Sequence, residues 1–318
     1  MGEQWFLCCP WSSLNASRLE ELKGLERAKR AVLQFAKPNS GVHAILLYGP
    51  RGSGKTALAH QLISTWIGEE GSPAVQAFAN GKSADVLFVE PIGPSRIINV
   101  KQVTASRGSD EKFEGVPISE FLRTGPLISQ KKVVLIHDAE RMNAMAANAL
   151  LKSLEEPGPF AKFILLTGSV GSILPTILSR CVAVACELPG DDEAATLGID
   201  ADLWKFAGGA PGRAKLFQEH ERLYRGLMQF AQTLRNRPQR EALVAAESLR
   251  GLAEDLQKTH DLNARAANAE TLELLGTAVR NFHPDWDAPL LIAEAHRRIL
   301  GNANPAFVFD SLMTRILA

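Results

Sequence analysis

Apolar residues follow two rhythms along this chain, and the change between them divides it. Leu19, Leu22, Leu25, Ala28, Val32 and Phe35 recur at three- and four-residue spacing, which predicts a helix over 17–36. Lys37-Pro38-Asn39-Ser40-Gly41 breaks it. Ala44-Ile45-Leu46-Leu47-Tyr48 is then continuously apolar, as expected for a strand buried on both faces. A helix with Leu58, Leu62, Ile63 and Trp66 inward follows. Three further strands are predicted at Asp85–Glu90, Val133–Ile136 and Phe163–Leu166, with a short last one at Val182–Val184. Ala146 to Leu154 reads as a helix closed by Pro157-Gly158. Strands alternating with helices predict a parallel α/β domain.

Leu188-Pro189-Gly190-Asp191-Asp192 is the clearest boundary, and beyond it strand signal almost vanishes. Residues 191–221 read as a small helical unit around the turn Gly208-Gly209-Ala210-Pro211-Gly212. The rest is helical, ending in an amphipathic helix that bears Phe307, Leu312 and Ile316, with Val308, Leu312 and Ile316 as the apolar face expected to pack. The division expected is therefore 1–189, 190–221 and 222–318.

Composition narrows the classes. A chain of 318 residues with 46% hydrophobic and 22% charged residues is globular and long enough for two or three domains. Lys+Arg and Asp+Glu are both 35, so any DNA contact is local or shared with other chains. Cys8, Cys9, Cys181 and Cys186 match no zinc spacing and read as reduced thiols of a cytoplasmic protein. No segment has the length of a membrane span. The start lacks the basic flank and cleavage site of a signal peptide, and Phe6 stands where a myristoylation signal needs Ser or Thr.

One motif carries specific chemistry. Gly49-Pro50-Arg51-Gly52-Ser53-Gly54-Lys55-Thr56 fits G-x-x-x-x-G-K-[ST] in full, after a predicted strand and opening a predicted helix. Gly49, Gly52, Ser53 and Gly54 let backbone N–H groups wrap a phosphate at a positive helix end. Lys55 reaches the β- and γ-phosphates of ATP, and the Thr56 hydroxyl ligates Mg²⁺. The bland alternative is a loop that keeps this shape without using nucleotide.

The second acidic motif is irregular. Hydrolysis needs an Asp at a strand end for Mg²⁺ and a neighbouring Glu to polarise water. Here the strand end reads Leu135-Ile136-His137-Asp138-Ala139-Glu140, with His137 in the metal-binding place and Asp138 in the catalytic one. Histidine is a poor Mg²⁺ ligand. Asp138 is retained as a catalytic candidate, but a site that binds nucleotide and hydrolyses it poorly is favoured.

Two more runs bring a family into view. Asn148-Ala149-Leu150-Leu151-Lys152-Ser153-Leu154-Glu155-Glu156-Pro157 resembles the NALLK-x-LEEP segment of clamp-loader AAA+ proteins, and Leu174-Pro175-Thr176-Ile177-Leu178-Ser179-Arg180-Cys181 is similar to their LPTI-x-SRC segment. The resemblance implies an AAA+ domain with a parallel sheet, a small helical lid and a helical collar domain that joins other subunits. It implies that Arg180 acts in trans as an arginine finger, and that Thr167 is the first sensor. From the residues alone, Arg180 is a cation ending a helix and Thr167 a strand-end hydroxyl.

The departures fit the delta-prime type of DNA polymerase III subunit better than the gamma/tau type. The acidic motif is one. Another is Gly212 in the second sensor's Arg position, with Arg213 displaced by one residue, or about 100° around a helix. The family's zinc cysteines are absent around Gly81–Asp85, so no zinc is expected. The resemblance thus implies a largely static clamp-loader subunit that helps load the sliding clamp on primed DNA beside gamma/tau and delta. Two alternatives remain: a gamma/tau-type motor ATPase, and a small-molecule P-loop kinase. The kinase would need an acceptor pocket and a basic lid that the sequence does not suggest.

Overall fold

The computed structural model describes residues 25–37, 40–93, 96–105, 113–190 and 197–318. The expectations for Leu19, Leu22, Cys8, Cys9, the segment before residue 25 and residues 191–196 lie outside them. Two compact units result: an α/β unit reaching to 190 that also holds Ala210–Gly212, and a helical unit of 197–209 and 213–318.

In the α/β unit, the strands are β1 (Ala44–Tyr48), β2 (Val86–Val89), β3 (Lys132–Ile136), β4 (Ala161–Thr167) and β5 (Val182–Ala185). They form one parallel sheet in the order β2-β3-β4-β1-β5. The register places Leu46 beside Leu165 and Ala183, and Leu135 beside Ile164. Alternate side chains enter two cores. Ile45, Leu47, Val133, Leu135, Ile164 and Leu166 pack with helices α1 (Glu26–Ala36) and α2 (Lys55–Ile67). Leu46, Val134, Ile136, Phe163 and Leu165 pack on the other face with a helix at Ala144–Glu155. This is why the strands read as unbroken apolar runs. Each fully buried Leu, Ile or Phe contributes about 1.5–3 kcal/mol relative to exposure. Burial on both faces, rather than local propensity, therefore fixes the strands.

The helices between are α3 (Pro73–Ala79), α4 (Val100–Val103), α5 (Ile118–Phe121), α6 (the Ala144–Glu155 helix) and α7 (Pro175–Leu178). Asn143 caps α6, accepting from the Ala146 N–H at 2.8 Å. The sequence expectation for β2 began at Asp85, but that residue turns out to do something else. Its carboxylate is buried and accepts the N–H groups of Leu127, Ile128 and Ser129 at 2.7, 2.8 and 2.9 Å. Burial opposes ionisation, yet these donors prevail and hold the carboxyl below its usual value. A depressed folded-state pKa stabilises above the unfolded value and loses that contribution as pH falls through the folded one. Asp85→Ala is expected to cost about 2–4 kcal/mol by leaving three N–H groups without their acceptor. In urea titrations at several pH values, the gap between wild type and variant should close below about pH 4; a constant gap would remove this account.

The helical unit contains α8 (Ala201–Phe206), α9 (Pro211–Glu219, whose first two residues belong to the α/β unit), α10 (Glu221–Leu234), α11 (Ala242–His260), α12 (Ala264–Phe282), α13 (Ala288–Leu300) and α14 (Pro305–Ile316). Leu203, Phe206 and Phe217 share one core with Leu227, Leu249, Leu275 and Phe309, so residues on both sides of position 222 pack together. On α14, Val308, Leu312 and Ile316 are buried, whereas Phe307 faces outward at 71% exposure. Val308, Leu312 and Ile316 are the apolar face the sequence predicts, and Phe307 lies one position before Val308, about 100° round the helix. Among the described residues no helix is long and apolar enough to cross a membrane.

Candidate nucleotide site and arginine finger

The phosphate loop leaves the C-terminal end of β1 and feeds α2, the edge of an open parallel sheet where ligands bind. Its glycines answer to specific demands. A Cβ at Gly49 would stand 2.3 Å from the Cys186 carbonyl oxygen, so only glycine lets the loop pass the end of β5. Gly54 begins α2 with φ 93°, a conformation that costs other residues. Ser53 is 2% exposed and its buried Oγ has no hydrogen-bond partner among the described residues. A glycine cradle, a helix start and an orphaned hydroxyl fit a phosphate group.

Lys55 Nζ donates to the Gly49 and Pro50 carbonyls at 2.6 and 2.8 Å. Burial lowers its pKa, while Cys186, Glu140 and Asp138 pull it back up. Thr56 follows in the first turn of α2. Cys186 is a neighbour that spacing gave no reason to single out. Burial pushes its thiol up to about 11, with Lys55 acting the other way, so at neutral pH it is a protonated packing group. Burial likewise raises Cys181, to about 12. Both are free cysteines.

The adjacency of β1, β4 and β3 brings the acidic motif and Thr167 to the same edge of the sheet as the loop. His137 N–H donates to the Val89 carbonyl at 2.9 Å, closing the β2–β3 ladder. Burial holds this imidazole below the usual histidine range, against the pull of Glu90 and Asp138. His60 of α2 lies against Phe78, and burial, helped by His137, lowers it to about 4. Both histidines are thus neutral at pH 7 and add no positive charge for phosphate.

Asp138 adopts φ 46°, ψ 53°, and its carboxylate lies 3.7 Å from Arg141 Nε. Glu140 instead accepts the Gly168 N–H at 3.4 Å, a link the sequence gave no sign of. Thr167 ends β4; its hydroxyl donates to the Ser169 carbonyl at 3.1 Å and lies 3.3 Å from Ser172 Oγ. Among the described residues no cluster of three His, Cys, Asp or Glu could hold a metal.

Gly212 N–H donates to the Gly52 carbonyl at 3.0 Å, and a Cβ at 212 would meet that oxygen at 3.1 Å. The turn thus approaches the loop closely because 212 is glycine. Arg213 engages Glu273 in the helical unit at 3.7 Å, so its charge has another use there.

Arg180 lies apart from all of these. It precedes β5, whose first residue Val182 pairs with Ile45 at the start of β1. The phosphate loop follows the far end of that strand, about 15 Å away at 3.3 Å per residue. Nη1 donates to the Thr176 carbonyl at 2.8 Å and to Ser179 Oγ at 3.2 Å, and Nη2 donates to Glu155. A short turn at Pro175–Leu178, rather than a long helix, carries Arg180.

The sheet order and the loop define a P-loop nucleotide-binding protein of the AAA+ type. The chain belongs to the family described as DNA polymerase III, delta subunit, which matches residues 25–188. The DNA polymerase III subunit delta' of Pseudomonas aeruginosa is 40% identical over 156 residues, covering 46% of this chain and 44% of that relative. Its Bacillus subtilis counterpart is 34% identical over 146 residues, covering 44% and 40%. These matches span under half the length of either relative. A DNA polymerase III gamma subunit-related protein from Thermotoga maritima shares the fold, with a TM-score of 0.53 and 21% identity over 92% of this chain and 98% of that one.

Proposed function

We propose that this chain is a delta-prime-type clamp-loader subunit of DNA polymerase III that binds ATP, hydrolyses it poorly and supplies Arg180 to a neighbour's nucleotide. The carrying observation is the position of Arg180 at the sheet edge opposite its own phosphate loop. A guanidinium held by Thr176 and Glu155 cannot reach that loop, so any phosphate it meets belongs to another chain. The pairing of Asp138 with Arg141 and the neutral His137 fit weak hydrolysis by the chain itself.

In this reading Gly49, Gly52, Ser53, Gly54 and Lys55 hold the phosphates, Thr56 holds Mg²⁺, and Thr167 borders the same edge. Bound Mg²⁺ would neutralise phosphate charge. Residues 190–221 act as a lid and 222–318 as a collar contacting gamma/tau and delta subunits. The sliding clamp and primed DNA are reached through that assembly.

The test is ATP binding and phosphate release by the purified chain. Binding without turnover is expected. Steady turnover that disappears in Lys55→Ala would instead favour a gamma/tau-type motor.

A further inference from the structure

Glu155 is the last residue of α6, beside the negative end of the helix dipole and next to Glu156. A carboxylate is unfavourable there, since that end attracts cations. The partner of Glu155 is Arg180, whose Nη2 donates to its Oε1. The two side chains are 48% and 33% exposed. Ion pairs this exposed contribute little to stability, so stability alone does not account for an acid at this place.

The pair has a defined frame. The Leu154 carbonyl accepts from His43 Nε2 at 3.0 Å, which ties the end of α6 to the start of β1. Ser179 Oγ donates to the Thr176 carbonyl at 3.0 Å, which stiffens the turn that carries Arg180. Thr176, Ser179 and Glu155 together accept three of the five guanidinium N–H groups, leaving two for an incoming acceptor. A long, rotamer-rich side chain is thereby fixed before any phosphate arrives, and that lowers the ordering cost of the encounter.

We propose that Glu155 is a positioning residue for Arg180, holding its guanidinium ready for the phosphates of a neighbouring subunit's nucleotide. This rests on the finger role proposed above. The test is a double-mutant cycle in the reconstituted complex, reading kcat and KM for ATP at the neighbouring site. Glu155→Gln, an exposed and nearly isosteric change, should lower kcat about tenfold with KM unchanged, in the range expected for lost orientation. On an Arg180→Ala background it should have no further effect.

An unchanged or raised kcat in Glu155→Gln would overturn the inference, as would an equal loss whether or not Arg180 is present. A loss that tracks weaker assembly, measured by sedimentation of the same samples, would overturn it too. If Arg180→Ala itself leaves turnover unchanged, the finger reading falls first and Glu155 loses its role with it. If Arg180→Ala is deleterious and Glu155→Gln is silent, only the inference about Glu155 fails.

Discussion

ATP turnover at the neighbouring subunit's site is expected to fall about 10³-fold or more when Arg180 is replaced by alanine. That is the range for removing an arginine finger, because phosphoryl transfer is catalysed mainly by positioning and charge stabilisation. The effect should be confined to one site of the assembly, so hydrolysis is best read with the other sites disabled. Arg180→Lys should recover little. A lysine keeps the charge but not the planar fork that can serve Thr176, Glu155 and a phosphate together. Stability should change little, since the pair with Glu155 is partly exposed to solvent. Turnover equal to wild type in Arg180→Ala would remove this residue from the mechanism and leave its pair with Glu155 as surface structure.

The second large effect is expected from Lys55→Ala, which should weaken nucleotide binding about 100-fold, within the cost of losing one partner of a hydrogen-bonded charge pair. Lys55 holds the Gly49 and Pro50 carbonyls across the loop, so its ammonium is already aimed into the curve that the glycines form. Removing it takes away both that brace and the cation facing the phosphates. Melting curves give the readout. At a nucleotide concentration of about 100 Kd, ligand should stabilise the wild type by about 2.7 kcal/mol. At the same concentration the variant should gain about 0.4 kcal/mol. An equal ligand-induced shift in both proteins would mean that nucleotide is held elsewhere.

The strands were legible because each is buried on both faces and so written as an uninterrupted apolar run. Val133–Ile136 and Phe163–Leu166 are such cases. The phosphate loop was legible because its chemistry is local: glycines, a lysine and a hydroxyl must follow one another at fixed spacing. The buried face of α14 was legible because Val308, Leu312 and Ile316 recur at four-residue spacing, whereas Phe307, one position off that spacing, faces outward.

Other features came from distant parts of the chain. Asp85 looked like the first residue of a strand, yet its carboxylate organises residues 127–129, about forty positions on. Cys186 lies behind Gly49 because β5 adjoins β1, a neighbour relation that spacing does not carry. Glu155 belongs to a segment noticed for its resemblance, but its partner lies 25 residues away.

By itself, then, the sequence determined the α/β start and helical remainder, the nucleotide loop and the irregularity of the acid motif, since each rests on residues close together in the chain. The tertiary structure decided which edge of the sheet each group occupies: Lys55, Asp138, Glu140 and Thr167 at one edge, Arg180 and Glu155 at the other. Strand order and the direction in which α6 returns across the sheet set that separation, and both follow from burying two apolar faces at once rather than from any local pattern.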